Sequence, residues 1–225
     1  MGVTILTSVI FAALVSPTVR SHETITTKIT WSREISRIFI KRCISCHHQG
    51  GTSFDLSTYQ HARPWAVAIK EEVLERRMPP WGAIKGFGKF INDRGLTEEE
   101  IELISQWVVG GAPEGDPDRL PEATPKDLEL PVISKEYQSL SIQGDHTLKR
   151  AIDVIGIQLA GAPEGASLQM IAEYPGGKSE PLIWIYEFNP RFTSPFLYAT
   201  PLHLPAGTRI RMTPFAGSAE LLFKP

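Results

Sequence analysis

The sequence predicts a multidomain chain, an all-α domain followed by an all-β sandwich. Three observations carry this reading. Apolar residues recur at helical spacing in three stretches of residues 31–110. A stretch with four prolines and alternating charges follows at 116–131 and reads as a linker. Beyond it the apolar runs become short, alternating and β-branched, with turn signals between them. The 225 residues are enough for either one large or two small cores.

Residues 3–15 are apolar except for Thr4, Thr7 and Ser8, which is shorter than the ~20 residues of a membrane span. Val19 and Ser21 then stand at −3 and −1 ahead of His22. Residues 1–21 are therefore expected to be a secretory signal peptide with a weak n-region, and the mature protein to be periplasmic or secreted. From Trp31, the residues Ile35, Ile38 and Phe39 share one face of a helix that runs into Cys43, while Arg33, Glu34, Arg37 and Lys41 face away. A second helix is expected from about Thr58, with Trp65, Ile69 and Val73 on one face, ending at Met78 because Pro79-Pro80 cannot continue it. Residues 82–95 read as a glycine-containing loop. A third helix opens on a capping box, Thr97 with Glu100, and buries Ile101, Ile104 and Trp107 or Val108.

After the linker, strands are expected at 152–154, 168–172, 182–188 and 208–212, punctuated by Pro175-Gly176-Gly177 and Pro205-Ala206-Gly207. The pentapeptide Gly-Ala-Pro-Glu-Gly occurs at 111–115 and 161–165, once after a helix and once after a strand. Such flanks identify shared turn chemistry and no structural repeat.

Composition excludes several classes. Lys and Arg number 23 against 25 Asp and Glu, giving a net charge of −2, without the clustered basic surplus of a nucleic-acid binder. Apolar residues make up 42% of the chain and run through all of it, which argues against disorder. The two cysteines cannot build a disulfide scaffold.

Those two form Cys43-Ile44-Ser45-Cys46-His47, the spacing of covalent c-type haem attachment. Two thiols three positions apart can each add to one vinyl group of a porphyrin, and the next histidine is placed to bind its iron. Three other readings use the same residues. A thioredoxin-like pair calls for a preceding strand, where the periodicity gives a helix. A structural zinc site needs two further ligands, and no second cysteine pair exists. A plain disulfide leaves His47 without a role. For the second axial position Met78 is the candidate: it lies at a helix end, and the prolines after it hold the loop. Met1 leaves with the signal, and Met170 and Met212 fall in strand-like runs. Ordinary core packing is the competing role for Met78. His48 reads as a surface or propionate-side residue, and His61 is a weaker ligand candidate. Trp65 and Trp81 are expected to wall the haem pocket.

With CISCH, MPPW and the closing helix at Trp107, residues 31–115 resemble a class I c-type cytochrome. The resemblance implies one haem c, single-electron transfer in place of catalysis at iron, and first and last helices packed through Ile35, Ile38 and Phe39 against Ile101, Ile104 and Trp107. The stretches ARPWAVAIKEEVLERRMPPW, FINDRGLTEEE and WVVGGAPEGDP are similar to a bacterial subgroup often fused to modules like type II copper, ascorbate-dependent monooxygenases. Residues 132–225 resemble the last β-sandwich of those fusions, which would extend past Pro225. The family's copper His-x-His pair has no counterpart in IQLAGAPEGASLQM, and only His146 and His203 remain after the linker. The resemblance therefore implies a non-catalytic sandwich for docking or assembly. The alternative is an electron-feeding subunit or degenerate member of a copper enzyme. A redox partner protein is implied, a copper oxidoreductase or a membrane respiratory complex, with Arg76, Arg77 and Lys85 as candidate docking residues.

Overall fold

The computed structural model describes residues 28–129, 137–190, 194–213 and 216–225. The signal-peptide segment lies outside the described residues. No helix among the described residues is long and apolar enough to cross a membrane.

Among the described residues, eight strands form two antiparallel four-stranded sheets. They are β1 (Gln138–Ile142), β2 (His146–Thr147), β3 (Ile152–Ala160), β4 (Ala166–Glu173), β5 (Ser179–Phe188), β6 (Phe196–Leu204), β7 (Arg209–Met212) and β8 (Ser218–Phe223). The strand orders are β1-β8-β3-β6 and β2-β7-β4-β5. The sheets face each other across one core, to which Val154, Ile157, Leu204 and Leu221 contribute from one side and Leu168, Met170, Ile183 and Ile185 from the other. Both turn signals act as expected. Pro175-Gly176-Gly177 joins β4 to β5, where the Tyr174 N–H donates to the Lys178 carbonyl at 2.7 Å. Pro205-Ala206-Gly207 joins β6 to β7, with Gly207 at φ +82°.

A π-helical turn, Trp31–Ile35, leads into α1 (Ser36–Arg42). Next come α2 (Tyr59–Ala62), a 3-10 turn at Arg63–Trp65, and α3 (Ala66–Leu74). The last helix, α4 (Glu98–Val109), opens on the expected capping box with both of its hydrogen bonds formed. Ile35, Ile38, Phe39, Ile101, Ile104 and Trp107 lie in one buried cluster, and the Trp31 and Trp107 rings stand 6.0 Å apart. The loop after α4 ties this cluster together. The Pro113 carbonyl accepts from both the Trp31 N–H and Trp107 Nε1, each at 3.0 Å, and the Tyr59 hydroxyl donates to the Ala112 carbonyl at 3.0 Å.

The second helix differs from its expectation. Its buried face is Ala62, Ala66 and Val73, with Trp65 turned outward at 49% exposure. The helix also stops at Leu74, before Met78, and Arg76 takes a left-handed φ of +56°.

The larger correction concerns fold class. An all-α domain followed by a separate sandwich does not describe this chain, which is predominantly β. Helices longer than one turn are limited to three among the described residues, of 7, 9 and 12 residues. Moreover, residues 82–92, expected as a loop of the helical domain, join both sheets. Ala83 bridges to Ile185 on β5, and Phe90 bridges to Tyr198 on β6. The Ile84 N–H donates to the Trp184 carbonyl at 2.8 Å, and the Ile91 N–H to the Leu197 carbonyl at 2.8 Å. The physical reason is that β5 and β6 are each the last strand of their sheet, with a row of backbone groups needing partners. One segment meets that need for both, and it places Ala83, Trp81 and Phe90 in or against the core between the sheets.

Two glycines permit the close approach. A Cβ on Gly82 would stand 3.1 Å from the Tyr186 carbonyl oxygen, and one on Gly88 would stand 2.6 Å from that of Leu182.

Candidate functional site

The cysteine motif begins where α1 ends. Cys43 caps the helix, its N–H donating to the Phe39 carbonyl at 2.8 Å, and the chain then turns once. In that turn the Cys46 and His47 N–H groups both donate to the Cys43 carbonyl, at 3.1 and 3.0 Å. Cys43 and Cys46 are free thiols, each half-buried. Burial, followed by the nearby Glu100 carboxylate, pushes the Cys43 thiol up to about 12.

His47 Nδ1 lies 2.9 Å from the Phe54 carbonyl oxygen. A carbonyl only accepts, so Nδ1 carries a proton, and in the neutral ring Nε2 then holds the lone pair. A ring held in this tautomer is prepared to ligate a metal through Nε2. Phe54 also sets its ring edge-on to His47, with centroids 5.0 Å apart, and Trp65 lies 4.9 Å beyond Phe54. Phe54 and Trp65 are about half exposed, at 50% and 49%, so the histidine is flanked by uncovered aromatic surface.

Behind the motif, Arg42 is buried and forks onto Glu100, with Nε and Nη2 both donating to Oε1 at 3.1 and 3.0 Å. Arg42 Nη1 donates to the Asp93 carbonyl at 2.8 Å. Glu100 is also the capping-box acceptor for the Thr97 N–H, at 2.8 Å. One carboxylate thus joins the end of α1 to the start of α4. Next along the chain, Arg94 Nη1 approaches the Cys46 Sγ at 3.7 Å. Neither arginine was singled out by sequence reasoning. Arg42 carries no motif of its own, and its partner Glu100 lies 58 positions away in the chain.

Met78 is half-buried, in a loop where its N–H and that of Arg77 both donate to the Glu72 carbonyl, at 3.2 and 2.9 Å. The Met78–Pro79 peptide is cis. Three residues on, Trp81 packs edge-on against Phe196 at 4.8 Å and Phe90 at 6.1 Å. Its ring contacts are therefore with the sheet pair. Trp65 and Trp81, grouped by the sequence reading, stand in two different aromatic sets.

His48 Nδ1 bonds to the Ile44 carbonyl at 2.6 Å. His61 pairs with Asp55 at 2.9 Å. Desolvation works against the Asp55 carboxylate, but hydrogen bonds from Ser57 and the charge of His61 hold it below its ordinary value. Each candidate docking cation faces a carboxylate: Arg76 meets Glu98, Arg77 meets Glu72, and Lys85 meets Asp93. In the sheet pair, His146 and His203 belong to opposite sheets, and His203 bonds to Asp153 at 2.8 Å. Met170 and Met212 are register partners with buried side chains.

No protein-family model matches the chain, and no curated protein matches it.

Proposed function

We propose that this chain is an exported monohaem c-type protein that carries single electrons. The observation that carries the reading is the His47 ring, whose Nδ1–H is engaged by the Phe54 carbonyl while Nε2 is left to ligate, one residue after a pair of free thiols on a single turn. Cys43 and Cys46 would hold haem c by thioether bonds, His47 Nε2 would be the proximal iron ligand and the Met78 sulfur the distal one. Haem held by these residues would supply reversible one-electron chemistry, and His/Met ligation would favour a higher potential than His/His.

The residues fit that group in kind. Phe54 fixes the histidine tautomer and, with Trp65, offers flat apolar surface beside it. Burial and the Glu100 carboxylate hold the neighbouring Cys43 as a thiol, the form whose S–H would add across a vinyl group. Ion pairing of Arg76, Arg77 and Lys85 leaves them little free charge for steering a redox partner.

The test is the visible spectrum, oxidised and reduced, of protein matured with the c-type assembly machinery. A low-spin spectrum with the weak far-red band of methionine-ligated ferric haem is expected, and Met78→Ala should abolish that band while haem stays attached. A high-spin spectrum in the unsubstituted protein would contradict the ligand pair.

A further inference from the structure

We infer that the edge of the sheet pair positions the distal ligand: Trp81, seated on Phe196, is a positioning residue that fixes the Met78 loop. This rests on the haem reading of the preceding subsection, and it assigns the sheet pair a role in that same site.

The loop is pinned at both ends. On its N-terminal side the Arg77 and Met78 N–H groups donate to the Glu72 carbonyl at the end of α3. On its C-terminal side the Trp81 N–H donates back to the Pro79 carbonyl at 2.7 Å. The next residue, Gly82, is already paired with β5, accepting from the Tyr186 N–H at 2.9 Å. Only three residues therefore separate Met78 from the sheet edge. The Trp81 side chain adds a second anchor by meeting Phe196, a residue of β6, at 4.8 Å. The loop consequently leans on both sheets, through backbone on β5 and an aromatic contact on β6.

The same segment returns to the cysteine motif. Asn92 is tied to the start of β6 by two hydrogen bonds, Nδ2 to the Pro195 carbonyl at 2.7 Å and Oδ1 from the Leu197 N–H at 3.0 Å. Directly after it, the Asp93 carbonyl accepts from Arg42 and Arg94 reaches the Cys46 sulfur. Residues 78–94 thus run from the distal-ligand candidate, across both sheet edges, to the proximal motif. A thioether ligates iron weakly and depends on being held in place, so ligation by Met78 should respond to contacts made more than a hundred residues away in sequence. The signal for this was absent from the sequence because Trp81 next to MPP reads equally well as a pocket wall.

The experiment uses the full matured chain. Phe196→Leu removes the ring under Trp81 without emptying the core, and Asn92→Ala loosens the far end of the segment. Leu221→Ala, a fully buried change on β8, two strands from β6, serves as a comparison that destabilises the sheets without altering a residue bonded to the crossing segment. We expect Phe196→Leu and Asn92→Ala to lose far-red methionine–iron absorption and to lower the reduction potential, with haem still covalently attached. Leu221→Ala should lower thermal stability and keep the band. The inference is overturned if the first two variants keep both band and potential, or if Leu221→Ala loses the band to the same degree. It is also overturned, with haem attachment left standing, if Met78→Ala leaves the spectrum unchanged. Absence of covalent haem in the unsubstituted protein would instead sink the functional reading itself.

Discussion

Cys43 shows how much one residue's surroundings can reveal. Its thiol sits against buried structure with Glu100 nearby, and its proton is held up to about 12 against an ordinary value of 9.0. In the unfolded chain the same thiol ionises near 9.0. Between those two values the native state keeps a proton that the unfolded state has lost, so stability falls as pH rises. Below 9.0 the contribution is fully present. For the reduced protein without haem, we therefore expect denaturant midpoints to drop across that alkaline window, and Cys43→Ser to lessen the drop, the remainder coming from Tyr174 and Tyr198, whose hydroxyls burial also pushes up. Equal slopes for the two proteins would show that Cys43 contributes nothing to it. The thiol spacing was plain in the sequence. Its environment was not, because Arg42 and Glu100 lie 58 positions apart and only folding brings them together.

Among elements, the duplicated pentapeptide separates backbone demand from packing. Its first and last glycines have positive φ in both copies, +90° and +85° at Gly111 and Gly115, and +64° and +76° at Gly161 and Gly165. The terminal glycines therefore share their backbone demand, but the turns are not the same, because Ala112 is also left-handed at φ +51° and Ala162 is not. The surroundings differ too. A Cβ at Gly115 would meet Ser32 Oγ at 2.5 Å and Thr30 Cβ at 2.6 Å, whereas one at Gly165 would meet nothing within 4 Å. Gly165→Ala should cost about 1–2 kcal/mol, the strain of a left-handed alanine. Gly115→Ala should cost at least about 1 kcal/mol more, from overpacking against the start of the first helical turn. Chemical denaturation of both variants checks the difference, and equal losses would contradict it.

Elements with strong local signals were the ones legible in the sequence. The capping box of α4 and the turn-bounded strands β4 and β5 are examples. Strand β6 lacks a clean alternation because the crossing segment and its own exposed middle change which residues are covered, and β8 is buried on nearly every position. Strand β2 is two residues long, too short for any period.

At the scale of the molecule, the outcome turned on residues 82–92. Isolated bridges to two sheets leave no periodic trace, and a glycine-rich stretch in sequence reads as a loop. In the folded chain that stretch links the helical cluster, which keeps a core of its own, to the edges of both sheets through backbone hydrogen bonds to β5 and β6. Calorimetry of the protein without haem should accordingly show one cooperative unfolding transition. Two resolved transitions would mean that the segment does not couple them.

The central claim is that Cys43 and Cys46 carry haem beside a histidine already set to ligate it. Its most direct test is the intact mass of the denatured protein after maturation with the c-type assembly machinery, combined with thiol alkylation. The account predicts a mass increased by one haem, no alkylation at either cysteine, and loss of the added mass in the Cys43→Ser, Cys46→Ser double variant. An unchanged mass with both thiols alkylated would contradict it.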